Sequence, residues 1–516
     1  MVRSSNGPAT TWLSARARNF LWSHTTWAFA AGGTTTLAFS PFDLYPLALA
    51  SLSLLFWLWH QADASKAFRL GWMYGAGLLG FGVFWLHISI NLYGNMGRVP
   101  AIAITLLFVA AMSLYYGVAG WLAKQGSAGD DTALLLAYPA AWVLLEWLRG
   151  WFLSGFPWLS LGYTLIDSPL RGFAPLAGVY GLSWLLALSA SLCVLLLTRR
   201  GLRRTYAGIA LATVWTGGAL LGMVDWTSPA GRPIRASLIQ GNVAQSVKWL
   251  PEQLQPTLAL YRGLTEQHWE SDLIIWPETA VPAFYHRVEK GFLTPLEAEA
   301  SARGTELLLG LPVRDSDGRG YFNSMLRLGS SRDAYHKRHL VPFGEFVPLD
   351  SLLRPVIDRL GIPMSDFSSG PADKTGLELA GYPAALSICY EDAFGDETIQ
   401  ALPEAAFLVN ASNDAWFGDS LAPHQHLQIA RMRAVETGRP MLRATNTGIS
   451  AIIGPRGNLL GHSPAFATTV LTGEIIPRQG ATPYALTGNT PLVILMFALL
   501  SFAAWRKRQP QSVAGR

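Results

Sequence analysis

Two hydrophobic patterns divide the chain. Up to about residue 226, and again near the C-terminus, apolar residues run on with few interruptions. A helix needs about 20 mostly apolar residues to cross a bilayer. Stretches of that kind fall at 20–39, 43–60, 70–91, 100–122, 132–152, 175–198, 206–225 and 488–505. The first is the weakest, because GGTTT interrupts it. Between the seventh and eighth stretches the pattern changes to short apolar runs: IRASLIQG, DLIIWPE, ELLLGLP, AALSICY, AAFLVNAS and SAIIGP. Amphipathic segments such as PEQLQPTLALYRGLTEQHW and HQHLQIARMRAVETG separate some of them. Strands alternating with helices predict a layered α/β domain. The expected division is a seven-span bundle over 1–226, an α/β domain over 227–486, and a last span with a short tail over 487–516.

Charge orients these elements. Only 14% of the 516 residues are charged, against roughly a quarter in a soluble protein. Arg16 and Arg18 precede the first span, and Lys66 and Arg69 separate the second from the third. Lys124 follows the fourth; Arg199, Arg200, Arg203 and Arg204 crowd the link between the sixth and seventh; Arg506, Lys507 and Arg508 follow the eighth. The alternate loops are poor in basic residues: SPFDLYP has none and NLYGNMGRVP only Arg98. The positive-inside rule then puts both termini in the cytoplasm and residues 228–484 outside. In a Gram-negative bacterium that is an inner-membrane protein with a periplasmic domain. The net charge of +5 follows from this orientation, and no nucleic-acid partner is expected.

The two cysteines, Cys193 and Cys389, lie in segments of different character, so no disulfide is expected. Cys389 stands at the end of an apolar run, in SICYED. DLIIWPE ends on Glu278, and DAYHKRHLVPFGE carries Lys337 and Glu345. A thiol near pKa 8.5 is only slightly ionised at neutral pH. A carboxylate can take its proton during attack, and an ammonium can stabilise the oxyanion formed on an ester or amide carbonyl. The backbone N–H of Tyr390 is a natural second donor. Taken singly, these residues have plainer readings. Cys389 suits a core position, Glu278 a helix cap, Lys337 a solvated basic patch and Glu345 a structural ion pair. His424 and His426, in PHQH, lack a third ligand at metal-site spacing and suit a cap or packing role. Trp249 suits a core position equally well.

The strings IIWPETAVP, KRHLVPFGEFVP, SICYED and NDAWFGDSLAPHQH, in this order, resemble the nitrilase (carbon–nitrogen hydrolase) superfamily. Within it they are similar to the bacterial apolipoprotein N-acyltransferase branch. The resemblance implies an αββα sandwich set between the last two of eight membrane helices, with Glu278 as general base, Lys337 as oxyanion lysine and Cys389 as nucleophile. Glu345, Tyr390 and Glu391 would support them. Glu391 would orient Lys337 or pair with it. Trp249, Trp416 and Phe343 would contact substrate. Phe346 stands where tyrosine is common in that branch. The implied donor is a phospholipid, typically phosphatidylethanolamine, and the acceptor is the α-amine of a diacylated apolipoprotein. No metal or coenzyme is implied. The rivals are a membrane-tethered amidase with the same triad and a non-catalytic receptor on the same fold.

The alternating basic loops make a direct prediction. A cysteine-accessibility scan should find positions near 300 and 360 outside, and position 202 and the C-terminus inside. A cytoplasmic signal from position 300 would overturn this orientation.

Overall fold

The structure is a computed structural model describing residues 24–94, 96–125, 130–315, 320–351, 354–355 and 366–509. Arg16, Arg18, residues 20–23 of the first expected span and position 360 lie outside the described residues.

Each apolar stretch coincides with helix. These are α1 (residues 24–35), α2 (Tyr45–Gln61), α3 (Ala64–Gly82) with α4 (Leu86–Leu92), α5 (Arg98–Gln125), α6 (Asp131–Arg149), α7 (Ala174–Thr198), α8 (Leu202–Leu221) and, at the far end, Thr490–Arg508. Among the described residues, four segments are long and apolar enough to cross a membrane: Arg98–Gln125, Asp131–Arg149, Pro169–Thr198 and Thr490–Arg508. The bent pair α3–α4, with a 57° break, makes a fifth if it is one span. The glycines of GGTTT serve packing: a Cβ on Gly32 would lie 1.9 Å from the Tyr74 carbonyl of α3. The break after Gly82 was not expected from the continuous apolar run 70–91. Its freed carbonyl is not left bare, because the Gly82 oxygen accepts from Trp85 Nε1 at 3.0 Å and Gln425 Nε2 at 3.0 Å. Side chains can replace lost intrahelical partners in this way.

Among the described residues, the α/β domain holds two six-stranded sheets. Its entry and exit are tied together by β1 (Ser228–Pro229) pairing antiparallel with β14 (Arg478–Gln479). The first sheet contains β2 (Ile234–Gln240), β3 (Leu273–Ile275), β4 (Glu306–Arg314), β5 (Tyr321–Leu328), β6 (Asp333–His336) and β13 (Thr469–Ile475), in the order β13-β2-β3-β4-β5-β6. The second contains β7 (Gly376–Leu379), β8 (Tyr382–Ile388), β9 (Phe407–Ser412), β10 (Met441–Thr445), β11 (Ala451–Ile453) and β12 (Leu459–His462), in the order β12-β11-β10-β9-β8-β7. The two face each other across one core: Leu238, Ile275 and Leu308 meet Ile388, Val409 and Leu442. Side chains alternate along a strand, so Leu307, Leu309 and Leu311 point the other way, onto helices α9 (Leu254–Glu266) and α10 (Thr294–Arg303). Strands β5, β7, β10, β12 and β13 were not among the expected runs. Several mix charged or polar residues with apolar ones, as in YFNSMLRL and MLRAT.

The outer face of the second sheet is covered by α11 (Ala422–Thr437). This helix starts on Pro423 in its first turn and stops at Gly438 in the left-handed conformation, φ 63°, as expected for these residues. Ala430 and Ala434 pack on the sheet, while Ile429, Met432 and Val435 pack on the helical bundle. It is therefore buried on both sides. Gln425 makes the join: its Oε1 accepts from Trp158 Nε1 at 2.7 Å and Trp85 Nε1 at 3.2 Å. Truncating it strands the buried Trp158 indole and leaves Trp85 and the Gly82 carbonyl with only each other. Gln425→Ala should cost about 1–3 kcal/mol and lower the thermal midpoint of the detergent-solubilised protein; an unchanged midpoint would remove Gln425 from the join.

Candidate active site

Three chain segments meet at one end of the sandwich. Glu278 follows β3, Lys337 follows β6, and Cys389 follows β8. Strand ends are where α/β folds carry their chemistry.

Cys389 sits in a sharp bend. Its φ is +54°, which is costly for a residue with a Cβ, and it opens a single 3₁₀ turn, Cys389–Ala393. Glu391 holds this bend. One of its oxygens accepts from Ile388 N at 2.7 Å and Tyr335 OH at 3.0 Å; the other accepts from Arg338 N at 2.6 Å and His339 N at 3.0 Å. One carboxylate thus ties the cysteine turn to the segment just after Lys337. It makes no ion pair with Lys337, so the pairing alternative gives way to positioning through the backbone.

Lys337 is 1% exposed. Its Nζ donates to both oxygens of Glu345, at 2.9 and 2.8 Å, and lies 4.0 Å from Glu278 Oε1. Burial opposes the ammonium, but Glu345 and Glu278 outweigh it and hold the pKa above the usual lysine value. Lys337 is therefore a buried cation at neutral pH and not part of a solvated patch. Glu345 is itself anchored by Val341 N at 2.8 Å.

Glu278 Oε1 accepts from Asn323 Nδ2 at 2.7 Å. Its Oε2 is buried with no hydrogen-bond partner among the described residues. Burial raises the Glu278 pKa, Lys337 lowers it, and the net direction is up. A carboxylate tuned upward is a better proton acceptor near neutral pH. Its main chain is fixed by Lys248, whose Nζ donates to Thr279 Oγ1 at 2.8 Å and to the Glu278 carbonyl at 3.3 Å. Burial brings Lys248 down to about 8, against the pull of Glu278. The Cys389 thiol is pushed up, first by burial and then by Glu278, with Lys337 opposing. Burial thus favours the neutral thiol at Cys389, while the neighbouring carboxyls keep Lys337 an ammonium.

Behind the cysteine lies a charged cluster that the motifs did not reveal. His426, on α11, lies 2.9 Å from Asp392 through Nε2 and 2.9 Å from Asp414 through Nδ1. Nε2 is also 3.2 Å from the Cys389 carbonyl. Both ring nitrogens face carboxylates, which requires an imidazolium. Burial and Arg443 lower its pKa, but the two aspartates raise it to about 9. Asp414 is held down at about 2 by His426 and Arg443 against the effect of burial. Arg443 bridges the same aspartates at 3.2 and 3.3 Å and donates to Asn410. Asn410 Nδ2 in turn donates to the Cys389 carbonyl at 3.2 Å. In a trans peptide the N–H points opposite to the C=O. Gripping the Cys389 carbonyl from behind therefore aims the Tyr390 N–H away from the cluster. The Tyr390 side chain leaves the sandwich altogether, donating to the Gly155 carbonyl at 3.2 Å and stacking on Trp158. The cap-or-packing expectation for His426 is replaced by this ion cluster.

Trp249, Phe343 and Trp416 are exposed, at 50%, 57% and 36%. The first two follow Lys248 and precede Glu345 closely, and Trp416 lies two residues from Asp414 while its ring meets Tyr93 edge-on at 4.6 Å. Trp249 is thus not a core residue. All three present apolar surface beside groups that hold the triad.

Residues 31–192 match the family described as apolipoprotein N-acyltransferase N-terminal domain, and residues 235–484 match carbon–nitrogen hydrolase. An apolipoprotein N-acyltransferase of Methylococcus capsulatus is 49% identical over 95% of this chain and 97% of its own. This chain belongs to the apolipoprotein N-acyltransferase family. The likeness extends to the proteins of that name in Nitrosomonas europaea, 44% identical over 92% of this chain and 96% of its own, and Pseudomonas syringae, 41% over 94% and 97%. The α/β half of this acyltransferase is accordingly a nitrilase-like domain, and its apolar helices suit insertion in a membrane.

The His426 cluster carries a pH prediction. A histidine raised in the fold stabilises it fully below its unfolded value near 6.5 and loses that contribution as pH rises through about 9. The detergent-solubilised protein should lose thermal stability between pH 6.5 and 9.5. His426→Gln, which hydrogen-bonds without the charge, should be less stable at pH 6.5 and flatter across this window. A parallel pH dependence in both proteins would show that His426 is not the titrating group.

Proposed function

We propose that the protein moves an acyl chain from a phospholipid, phosphatidylethanolamine being the expected donor, to the α-amine of an S-diacylglyceryl cysteine at an apolipoprotein N-terminus. The reaction runs through a thioester on Cys389. As Sγ adds to the ester carbonyl, Glu278 Oε2 accepts the thiol proton. The oxyanion lies between the Lys337 ammonium and the Tyr390 N–H. Collapse breaks the C–O bond, and the departing lysophospholipid takes the proton from Glu278. The amine then attacks the thioester and gives its proton to Glu278, and as the C–S bond breaks Glu278 passes that proton to Sγ, regenerating the thiol. Glu345 keeps Lys337 charged and in place, and Glu391 fixes the turn.

The observation that carries this reading is the buried Lys337 beside a Glu278 oxygen that has no hydrogen-bond partner among the described residues, with the buried Cys389 thiol in the same site. The site also adjoins an apolar helical body through α11, which suits lipid substrates better than the small polar substrate of an amidase. Trp249, Phe343 and Trp416 offer apolar contacts for acyl chains. The full reading has eight spans over 1–226 and 487–516 in the bacterial inner membrane, with residues 227–486 in the periplasm. The even spacing of basic loops and the coincidence of each apolar stretch with helix support it.

With phospholipid alone, mass spectrometry should find wild-type protein acylated on the Cys389 peptide. Cys389→Ala should carry no acyl group, and Glu278→Gln should acylate very slowly. Lys337→Arg keeps the charge but not its shape, and should lose about 10²–10³ in rate. A diacylglyceryl-cysteinyl peptide with a free amine should discharge the adduct, and the same peptide with a blocked amine should not. If lysophospholipid release required the peptide and no adduct ever accumulated, the two-step scheme would be wrong.

A further inference from the structure

A basic cleft lies where the bundle meets the α/β domain, away from the triad. Arg171, Arg456 and Arg478 line it together with Asp225, Trp226 and the apolar Leu221 and Val224. It reaches the far end of α11, at Val435 and Gly438. That is nine residues beyond His426, or roughly 14 Å along the helix.

Three arginines face one aspartate, and Asp225 already pairs with Arg456 at 2.8 Å. Among the described residues, neither Arg171 nor Arg478 has a carboxylate within ion-pair distance. Arg171 has one long contact, to the Ile166 carbonyl at 3.4 Å. Arg478 donates to the Thr227 hydroxyl at 2.6 Å and to the Thr227 carbonyl. Asp167 and Asp225 act on them only at longer range, and Asp167 is itself paired with Arg431 at 2.5 Å, so these partly buried guanidiniums lack a close anion. The indole Nε1 of Trp226 is also buried with no hydrogen-bond partner among the described residues.

The cleft sits at a defined depth. Arg171 is the third residue of the apolar segment Pro169–Thr198, and Leu221 is the last residue of α8. The two are locked side by side by glycines, since a Cβ on Gly172 would lie 2.1 Å from the Gly218 carbonyl and 2.4 Å from the Gly222 nitrogen. Cations and a tryptophan beside an apolar wall, at the end of a membrane segment, match the headgroup region of a bilayer.

We propose that this cleft binds the phosphate of an anionic membrane phospholipid, separately from the acyl donor. Arg171 and Arg478 hold the phosphate, Trp226 donates to the headgroup, and the acyl chains lie along Leu221 and Val224. The bound lipid supplies the missing counter-charge and fastens the α/β domain to the bilayer surface. The assignment rests on the reading that α8 ends at that surface.

The test uses the full chain in detergent, titrated with phosphatidylglycerol, phosphatidylcholine or inorganic phosphate and followed by native mass spectrometry and thermal unfolding. Phosphatidylglycerol should be retained in preference to phosphatidylcholine. Arg171→Gln should weaken that retention about fivefold, and Arg171→Lys, which keeps the charge, should retain most of it. Equal retention of the two lipids, or no effect of Arg171→Gln, would overturn the site. Saturation by inorganic phosphate alone, with nothing added by the lipid, would overturn the lipid assignment. A fluorophore on Val224→Cys, in a chain also carrying Cys193→Ser and Cys389→Ala, separates the underlying reading. Quenching by headgroup-labelled lipid should place it at the interface. Without quenching the membrane placement fails, whereas quenching with Arg171-independent binding fails the site alone.

Discussion

A helix packed between two bodies has to find partners on both sides for the polar side chains it carries. That constraint on α11 organises the molecule. Its sequence, APHQHLQIARMRAVET, is too polar for a core helix and too buried for a surface one. The polar side chains resolve this by reaching to both neighbours. Gln425 holds two tryptophan indoles and the broken end of α3. Gln428 donates to Asp43 at 3.1 Å. Glu436 accepts from Val179 N at 2.6 Å and pairs with Arg433 at 3.0 Å. His426 turns the other way, into the sandwich, and grips the Cys389 peptide. One helix thereby joins the apolar body to the chemistry. Buried polar networks of this kind are costly unless complete, so each bond constrains the placement of the next.

The site follows the same logic at shorter range. A buried ammonium is unfavourable without close carboxylates. Glu345 meets that need directly, at 2.8 Å, and leaves Glu278 at 4.0 Å, near enough to be influenced but free at one oxygen. The division of labour between two glutamates is therefore a matter of distance. Asn323 Nδ2 donates to both, at 2.7 and 3.3 Å, and bridges them. The left-handed bend at Cys389 is strained, but Glu391 and the His426 cluster fix it from two sides. A rigid turn of this kind keeps the thiol and the Tyr390 N–H in register with Lys337.

Exposed aromatic side chains beside a buried charged site give the molecule two regimes within a few residues. Lys248 is buried under Glu278 while Trp249, next in sequence, lies half exposed. Charge is sequestered where it must act in a low dielectric, and apolar surface is left where long chains would lie. The arginine cleft at the other end of α11 reverses the arrangement, with cations at the rim of an apolar wall.

Much of this was legible in the sequence, because hydrophobic length and period are local properties. Continuous apolar runs located the helices of the bundle, and short runs located β2, β3, β4, β8, β9 and β11. WPE, KRH and CYE stood out because three reactive residue types followed strand-like runs. Strands such as β5 and β10 were not legible, since a sheet buried on both faces tolerates Asn323 or Arg443 only where a distant partner awaits it. The break at Gly82 likewise depends on Gln425, 343 residues away. The choice of Glu345 over Glu391 as the partner of Lys337 was a question of angstroms between loops, and His426 reads as an ordinary helix residue until Asp392 and Asp414 are seen on either side of it. Local pattern determined the apolar helices and the strands that read as short apolar runs. Only the tertiary structure decided which charges meet, because a buried ion's state is set by neighbours that the chain order does not bring together.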